Sequence, residues 1–385
     1  MSQRRIPVAR PTFGDREESL VLEALRSGWV TQGPMVERFE GAVARAVEAP
    51  EAVAVSSGTT ALFLALHALG VGPGDEVIVP SLSFIAIANV VVHCGATPVF
   101  ADVDPSTYNL DPKAVAAAVT PRTRAVLVAH QLGMPADLDA IEAVASRHSL
   151  AVVEDAACAL GSRYRGRPIG GSANIACFSF HPRKIVVCGE GGMITTRDAA
   201  LAGRLRRLRH QGMSLSDLAR HRAKGVVIED YPEIGYNFRL SDIHAAVGVA
   251  QMEQLDRFLE GRRAAAARYD RLLSEVDRIE APRVPDYALP NYQSYIVRYL
   301  NADAATRNAL LEALDARGVA SRRGLMAIHA EPCYGDVGLR GPLPETERAA
   351  AQTLILPMYA DIEADDQVHV VEALRDALDG TGKAT

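Results

Sequence analysis

Residues 51–84 read EAVAVSSGTTALFLALHALGVGPGDEVIVPSLSF. Two short runs rich in Val and Ile, 52–56 and 76–80, bracket the apolar stretch Ala61-Leu62-Phe63-Leu64-Ala65-Leu66, and Gly-Pro-Gly-Asp at 72–75 separates helix from second strand. Buried strand, helix, buried strand is the unit from which parallel sheets are assembled, because parallel neighbours need a crossover between them. The alternation continues outward: strand candidates follow at 98–103, 125–130, 151–156, 176–180 and 192–196, with apolar residues at helical spacing between them, as in 136–148. The expected fold is α/β, a mainly parallel seven-stranded sheet flanked by helices. Helices on both faces account for strands that are almost uninterrupted Val, Ile and Ala.

Past Asp242 the strand signal fades. A helical stretch from His244 to Val276, dense in Arg and Ala, reads as a connector. A strand at 292–300, a helix at 303–317 and a terminal helix at 364–379 then make a smaller α+β unit, and SRRGLMAIHAEP at 321–332 reads as a loop. The expected division is a large domain at 1–256 and a small C-terminal domain at 257–385.

Composition narrows the class. With 385 residues, 48% of them apolar, the chain can bury a large core without disulfide or metal staples. A formal net charge of −6 argues against nucleic acid or an anionic membrane as partner, since both need basic patches. The opening MSQRRIPVARPTFGD lacks the apolar stretch of a secretory signal, and the long uncharged run at 77–101 is interrupted by Pro80, Asn89, Gly95 and Pro98, which argues against a membrane span. A cytoplasmic enzyme is expected. Cys94, Cys158, Cys177, Cys188 and Cys333 form no CxxC pair, and the histidines show no HExxH spacing, so the cysteines are expected to be buried apolar residues and no metal is expected.

Three segments carry chemistry. Ser56-Ser57-Gly58-Thr59-Thr60 joins a strand to a helix, where exposed N–H groups, a glycine and hydroxyls make a phosphate seat; an ordinary helix N-cap is the competing reading. Asp155 ends the apolar strand 151–153, and in open α/β sheets ligands gather beyond the carboxyl ends of strands; capping or a surface ion pair is the alternative. Lys184 closes FSFHPRK at 178–184 and precedes Gly189-Glu190-Gly191-Gly192-Met193, so a partly desolvated amine suited to Schiff-base formation competes with a solvated loop lysine. Phosphate seat, carboxylate and lysine, in that order, are the three things pyridoxal phosphate (PLP) requires.

Here the chain resembles the DegT/StrS-type aminotransferases, fold-type I PLP enzymes acting mainly on sugars. The resemblance rests on SGWVTQGPMVERFE (27–40), SSGTTALFLAL (56–66), GPGDEVIVPSLSF (72–84), GATPVFADVD (95–104), EDAACALG (154–161), FSFHPRK (178–184), GEGGM (189–193) and GYNFRLSDIHAA (235–246). It implies that Lys184 carries the cofactor, Asp155 faces the pyridine nitrogen, and Phe84 stacks on the ring. Gly58, Thr59, Thr60 and Ser179 would hold the phosphate. Asn237 would reach the phosphate of the neighbouring subunit's cofactor, which implies a homodimer with active sites at the interface. Many members have Gln or Glu where this chain has Cys158, a poor donor and acceptor beside the ring, and their histidine-leucine-tyrosine-glycine segment is here His130-Gln131-Leu132-Gly133. One branch that dehydrates its substrate has histidine in place of the lysine; Lys184 favours transamination.

The resemblance further implies L-glutamate as amino donor and a nucleoside-diphosphate keto-sugar as acceptor, the pattern being closest to members that aminate C4 of 4-keto-6-deoxyhexoses on dTDP or GDP. The product would serve antibiotic or polysaccharide biosynthesis. Trp29, His181, Arg322 and His329 are candidate substrate contacts, Arg322 through bidentate bonds to the diphosphate. A keto-cyclitol of the scyllo-inosose type, or a 3-keto sugar, is the alternative acceptor. A PLP-binding regulatory protein without turnover is a further alternative, opposed by the intact Asp155 and Lys184.

Overall fold

The computed structural model describes residues 5–381 except 173–174, 216–219, 222, 224–227 and 336. Its centre is a seven-stranded sheet of β1 (Glu51–Val55), β2 (Glu76–Pro80), β3 (Thr97–Ala101), β4 (Thr123–Ala129), β5 (Ala151–Asp155), β6 (Ala176–Ser179) and β7 (Gly192–Thr196). The spatial order is β1-β7-β6-β5-β4-β2-β3, with β6, β5, β4, β2 and β3 mutually parallel and β7 antiparallel to both its neighbours. The sheet is therefore mainly parallel, as expected, and β7 is its one reversed strand.

Alternation along the strands explains the continuous apolar runs. Val126 and Val128 enter one buried cluster, with Phe39 and Val43 of α2 (Pro34–Val47), while Ala125, Leu127 and Ala129 enter another, with Leu62, Leu64 and Leu66 of α3 (Gly58–Ala68). Both faces are dry, so neither tolerates a polar alternate position. Helix α3 begins at Gly58, three residues before the apolar run at Ala61, because Ser57 caps it: Ser57 Oγ accepts from Thr60 N–H at 3.1 Å.

The connector expected at 244–276 is broken into α4 (Asp242–Met252) and α5 (Leu255–Leu273) by a turn at Glu253 and Gln254. Leu255, Phe258 and Leu259 pack into the first cluster, whereas Ala265, Ala266, Tyr269 and Leu273 of the same α5 pack into a C-terminal one that also takes in Ile6 from the chain's start. A second sheet, ordered β8-β9-β11-β10, comprises β8 (Ile279–Glu280), β9 (Tyr295–Tyr299), β10 (Arg322–Arg323) and β11 (Thr353–Leu356). β9 starts later than the expected strand at 292 because Tyr292 adopts φ 51°, a left-handed conformation no strand accommodates.

The stretch at 321–332, expected as a loop, pairs twice: Arg322–Arg323 with β11, and Met326–Ala327 with Leu82–Ser83 just beyond β2. Its strands are two residues long and interrupted by Gly324, too short to leave a periodic signal. Gly324 is required there, since a Cβ would lie 2.1 Å from Thr353 Oγ1. The cysteine expectation is likewise corrected: Cys177 and Cys188 are buried, Cys94 and Cys158 half-buried, and Cys333 is exposed. Among the described residues no helix is long and apolar enough to cross a membrane, and no cluster of His, Cys, Asp and Glu could hold a metal ion.

Candidate active site

Two parallel neighbours bring the main residues together. Asp155 is the last residue of β5 and pairs with Cys177 of β6; Ser179, two residues on, ends β6, and the turn that follows carries His181 and Lys184. Carboxylate, hydroxyl and amine thus meet at the carboxyl edge of the sheet, where no strand continues to fill the space. β7 returns beside Ser179, in register with Gly192, and approaches the α3 cap so closely that a Cβ on Gly192 would lie 2.2 Å from Ser57 O.

That approach builds a cradle. Gly58 faces Ser179, where a Cβ would come within 2.8 Å of the serine Cβ. Gly58 and Thr59 open α3, so geometry leaves their N–H groups without intrahelical acceptors, and Thr59 is exposed. Thr60 is turned inward instead: its hydroxyl donates to Ser57 O at 2.8 Å and accepts from Ser57 N–H at 3.0 Å. The open groups at this helix start are therefore Gly58 and Thr59, faced by the Ser179 hydroxyl, whose oxygen accepts from His181 N–H at 3.5 Å, an arrangement that suits a phosphate.

Asp155 Oδ1 accepts from Ala157 N–H at 3.1 Å. Burial lifts its carboxyl above the ordinary carboxylate range, opposed by that hydrogen bond and by the charge of Lys184. A desolvated acid held in this way gains most from a cation brought to it. Behind it lies a buried pair the sequence did not single out. His130 Nδ1 accepts from Ala136 N–H at 3.1 Å, so Nε2 carries the proton and donates to Glu154 Oε2 at 3.0 Å; His130 N–H also donates to Asp155 O at 3.1 Å.

Lys184 is half-buried, and its amine lies 3.2 Å from Cys158 Sγ. Its backbone N–H donates to His181 O at 2.8 Å, fixing the turn. The residues before β9 hold this turn to the Cys158 turn: Gln293 Nε2 donates to Arg183 O at 2.6 Å, and Asn291 Nδ2 donates to Cys158 O and Leu160 O at 2.8 Å each. Asn291 and Gln293 were not foreseen. The one trace in the sequence is Gly133, at φ +94°, where a Cβ would strike Asn291 Oδ1.

Arg322, on β10, is half-buried, and burial with the Arg183 charge draws its guanidinium below the usual range. His181 is half-buried, and desolvation with the Arg183 charge pulls its imidazole below the usual range. Phe84 is 58% exposed, which rules out a core phenylalanine and leaves an open ring face. His329 has its Nδ1 2.7 Å from Ser81 Oγ and its Nε2 3.7 Å from Glu347. Trp29 folds over Gly33, donating Nε1–H to Thr31 O at 2.9 Å, and Asn237 is exposed, bridged through its backbone to His210. A surface groove lined by Arg38, Arg45, Met252, Leu259 and Arg263 among others includes none of the residues gathered at Lys184.

The donor set fits PLP: an amine for its aldehyde, a carboxylate for its ring nitrogen, and a cradle at Gly58 that a Cβ would fill.

Comparison with known proteins agrees. The DegT/DnrJ/EryC1/StrS aminotransferase family model matches residues 11–375. The chain is 40% identical over 376 residues to GDP-perosamine synthase of Caulobacter vibrioides, covering 97% of this chain and 98% of that one. It is 39% identical to the spore coat polysaccharide biosynthesis protein SpsC of Bacillus subtilis, covering 99% and 100%. The crystal structure of the aminotransferase TlmJ from Streptoalloteichus hindustanus superposes with a TM-score of 0.89 at 38% identity, covering 98% and 100%. With site, fold and full-length similarity in agreement, the chain belongs to the DegT/DnrJ/EryC1/StrS aminotransferase family and is a PLP-dependent transaminase of fold type I.

Proposed function

We propose that this transaminase moves the amino group of L-glutamate to a nucleoside-diphosphate keto-sugar, a 4-keto-6-deoxyhexose on dTDP or GDP, giving a 4-amino sugar for antibiotic or polysaccharide biosynthesis. The observation that carries the reading is the meeting of Lys184, Asp155 and the Gly58 cradle at one sheet edge. The sugar acceptor is supported by the 40% identical relative named for a GDP-linked amino sugar and by the polysaccharide role in the other relative's name.

When bound, PLP supplies an aldehyde that captures amines and a ring that takes up the electron pair left as the substrate Cα–H breaks. Lys184 would anchor the group and would move the proton at the substrate Cα. Asp155 would keep the ring nitrogen protonated, and Phe84 would hold the ring plane by its open face. Gly58, Thr59 and Ser179 take the phosphate, with Asn237 contributing to the partner subunit's site in a homodimer. The exposed Ile228 and Ile234, at 88% and 90%, lie on the segment leading to Asn237 and suit such an interface.

The test is direct. Purified enzyme with PLP and L-glutamate is given dTDP-4-keto-6-deoxyglucose, its GDP-linked counterpart or scyllo-inosose, and 2-oxoglutarate is measured. Release with a nucleotide-linked sugar is expected; release with the cyclitol alone would replace the proposed acceptor.

A further inference from the structure

A clamp outside both side chains sets Cys158 against Lys184. Asn291 Nδ2 donates to Cys158 O at 2.8 Å, Gln293 Nε2 donates to Arg183 O at 2.6 Å, and Gln293 N–H donates to Asn291 Oδ1 at 2.8 Å, so one short segment holds both turns. The Lys184 amine then lies 3.2 Å from the Cys158 sulfur, within the ~3–3.5 Å at which two groups held in place are poised to react. Both side chains are half-buried and keep the solvent access that a small neutral oxidant needs. The other cysteines are placed elsewhere. Cys177 and Cys188 are buried in the apolar clusters on the two faces of the sheet, Cys94 Sγ faces Phe63 O at 4.0 Å, and Cys333 is exposed beside Tyr334, whose hydroxyl is tied to Asn89. An oxidised sulfur at 158 therefore meets an amine before it meets a second thiol.

We propose that Cys158 and Lys184 form a modification site, at which hydrogen peroxide joins them through a reversible sulfenamide, an S–N bond that closes the enzyme to PLP. Peroxide first oxidises the thiol by two electrons: the O–O bond breaks, one oxygen joins sulfur as the sulfenic acid, and the other leaves as water. The neutral amine of Lys184 then attacks sulfur through its lone pair; the S–O bond breaks, the S–N bond forms, and the departing hydroxyl takes a proton from the amine as a second water. One thiol, one amine and one peroxide give one sulfenamide and two waters, and the chain loses two hydrogens. A small-molecule thiol reverses the bond by attacking sulfur and releasing the amine, and a second thiol opens the mixed disulfide. The bond occupies the amine and also keeps the sulfur from the sulfinic acid, which is not recovered by thiols. Loss of PLP uptake rests on Lys184 as the cofactor anchor, as proposed above.

The experiment treats cofactor-free Cys333→Ser enzyme with hydrogen peroxide and digests it with trypsin without reductant. Mass spectrometry should find residues 148–163 joined to 184–197 with the loss of two hydrogens, fragment spectra placing the link on Cys158 and Lys184. PLP uptake should fall in step with the joined fraction and return with dithiothreitol, and enzyme loaded with PLP beforehand should not cross-link. Cys158→Ala should give no joined peptide and take up PLP equally before and after peroxide; Cys158→Ser serves the same comparison if the alanine variant misfolds. A link through Cys188, an oxidised Cys158 with the amine free, or an unmodified pair overturns the proposal, as does joined enzyme that still takes up PLP. Borohydride that fixes PLP elsewhere than on Lys184 in untreated enzyme defeats the anchor reading instead, so the two failures are distinct.

Discussion

The thiol of Cys158 lies 3.2 Å from the amine of Lys184, which donates a hydrogen bond to its sulfur. The contact joins the turn after β5 to the turn after β6, and it puts a nucleophile next to the group that must stay free for cofactor. In this chain the position three residues after Asp155 is therefore a neighbour of the lysine.

Alkylation of Cys158 should block cofactor loading. Iodoacetamide applied to cofactor-free enzyme is expected to prevent later PLP uptake, prior PLP to protect, and Cys158→Ser to be insensitive. The exposed Cys333 will also react, so the comparison is made in Cys333→Ser. PLP uptake that survives complete modification of residue 158 would show that the thiol does not border the cofactor.

Lys184→Arg keeps the charge but removes the usable amine. Turnover with L-glutamate should fall by at least ~1000-fold, and borohydride should no longer fix PLP mass to the chain. Residual turnover within tenfold of wild type, about 1.4 kcal/mol, would place the anchor elsewhere.

Asp155 gives a pH signature. Its raised carboxyl means that the cofactor-free fold binds this proton more tightly than the unfolded chain does, so its stabilising contribution is present at acid pH and is lost as pH rises through the folded value. Cofactor-free Asp155→Asn should then melt ~1–3 °C above wild type at neutral pH, the gap closing toward pH ~4. With PLP the order should reverse, and kcat should fall ~100- to 1000-fold. A cofactor-free variant that melts below wild type at neutral pH contradicts the account.

Gly58→Ala forces a methyl to 2.8 Å from Ser179 Cβ. Overpacking of this kind should lower stability by ~1–3 kcal/mol and weaken PLP at least ~10-fold by equilibrium dialysis. Adding Ser179→Gly should restore stability but not PLP affinity, because the serine hydroxyl is lost with the clash. Unaltered PLP affinity in Gly58→Ala would remove this corner from the phosphate site.

Asn291→Ala orphans two carbonyls, the part-buried Cys158 O and the buried Leu160 O, and the Gln293 N–H that its Oδ1 accepts at 2.8 Å. Denaturant unfolding should show a loss of ~2–4 kcal/mol. A change below ~0.5 kcal/mol would mean that these bonds are replaced by water.

The large sheet was legible because each strand is buried on both faces and so announces itself as an apolar run; expected boundaries at 76–80 and 192–196 match β2 and β7. Asp155 and Lys184 could be singled out because each sits in a local segment, one at a strand end and the other in the turn after the neighbouring strand. Other features depend on contacts distant in sequence. The Cys158–Lys184 approach, the Asn291 and Gln293 bonds and the orphaned Nε of Arg322 join segments separated by between 26 and 133 residues, or are set by strand pairing across the second sheet. Local residue types determined that strands, helices, a capped helix start at Gly58, an acid and an amine would exist. Only packing of the C-terminal sheet and the residues before β9 against the edge of the first sheet decided which polar groups are satisfied and which are left open, because burial and hydrogen-bond partnership belong to the folded whole and to no single stretch of chain.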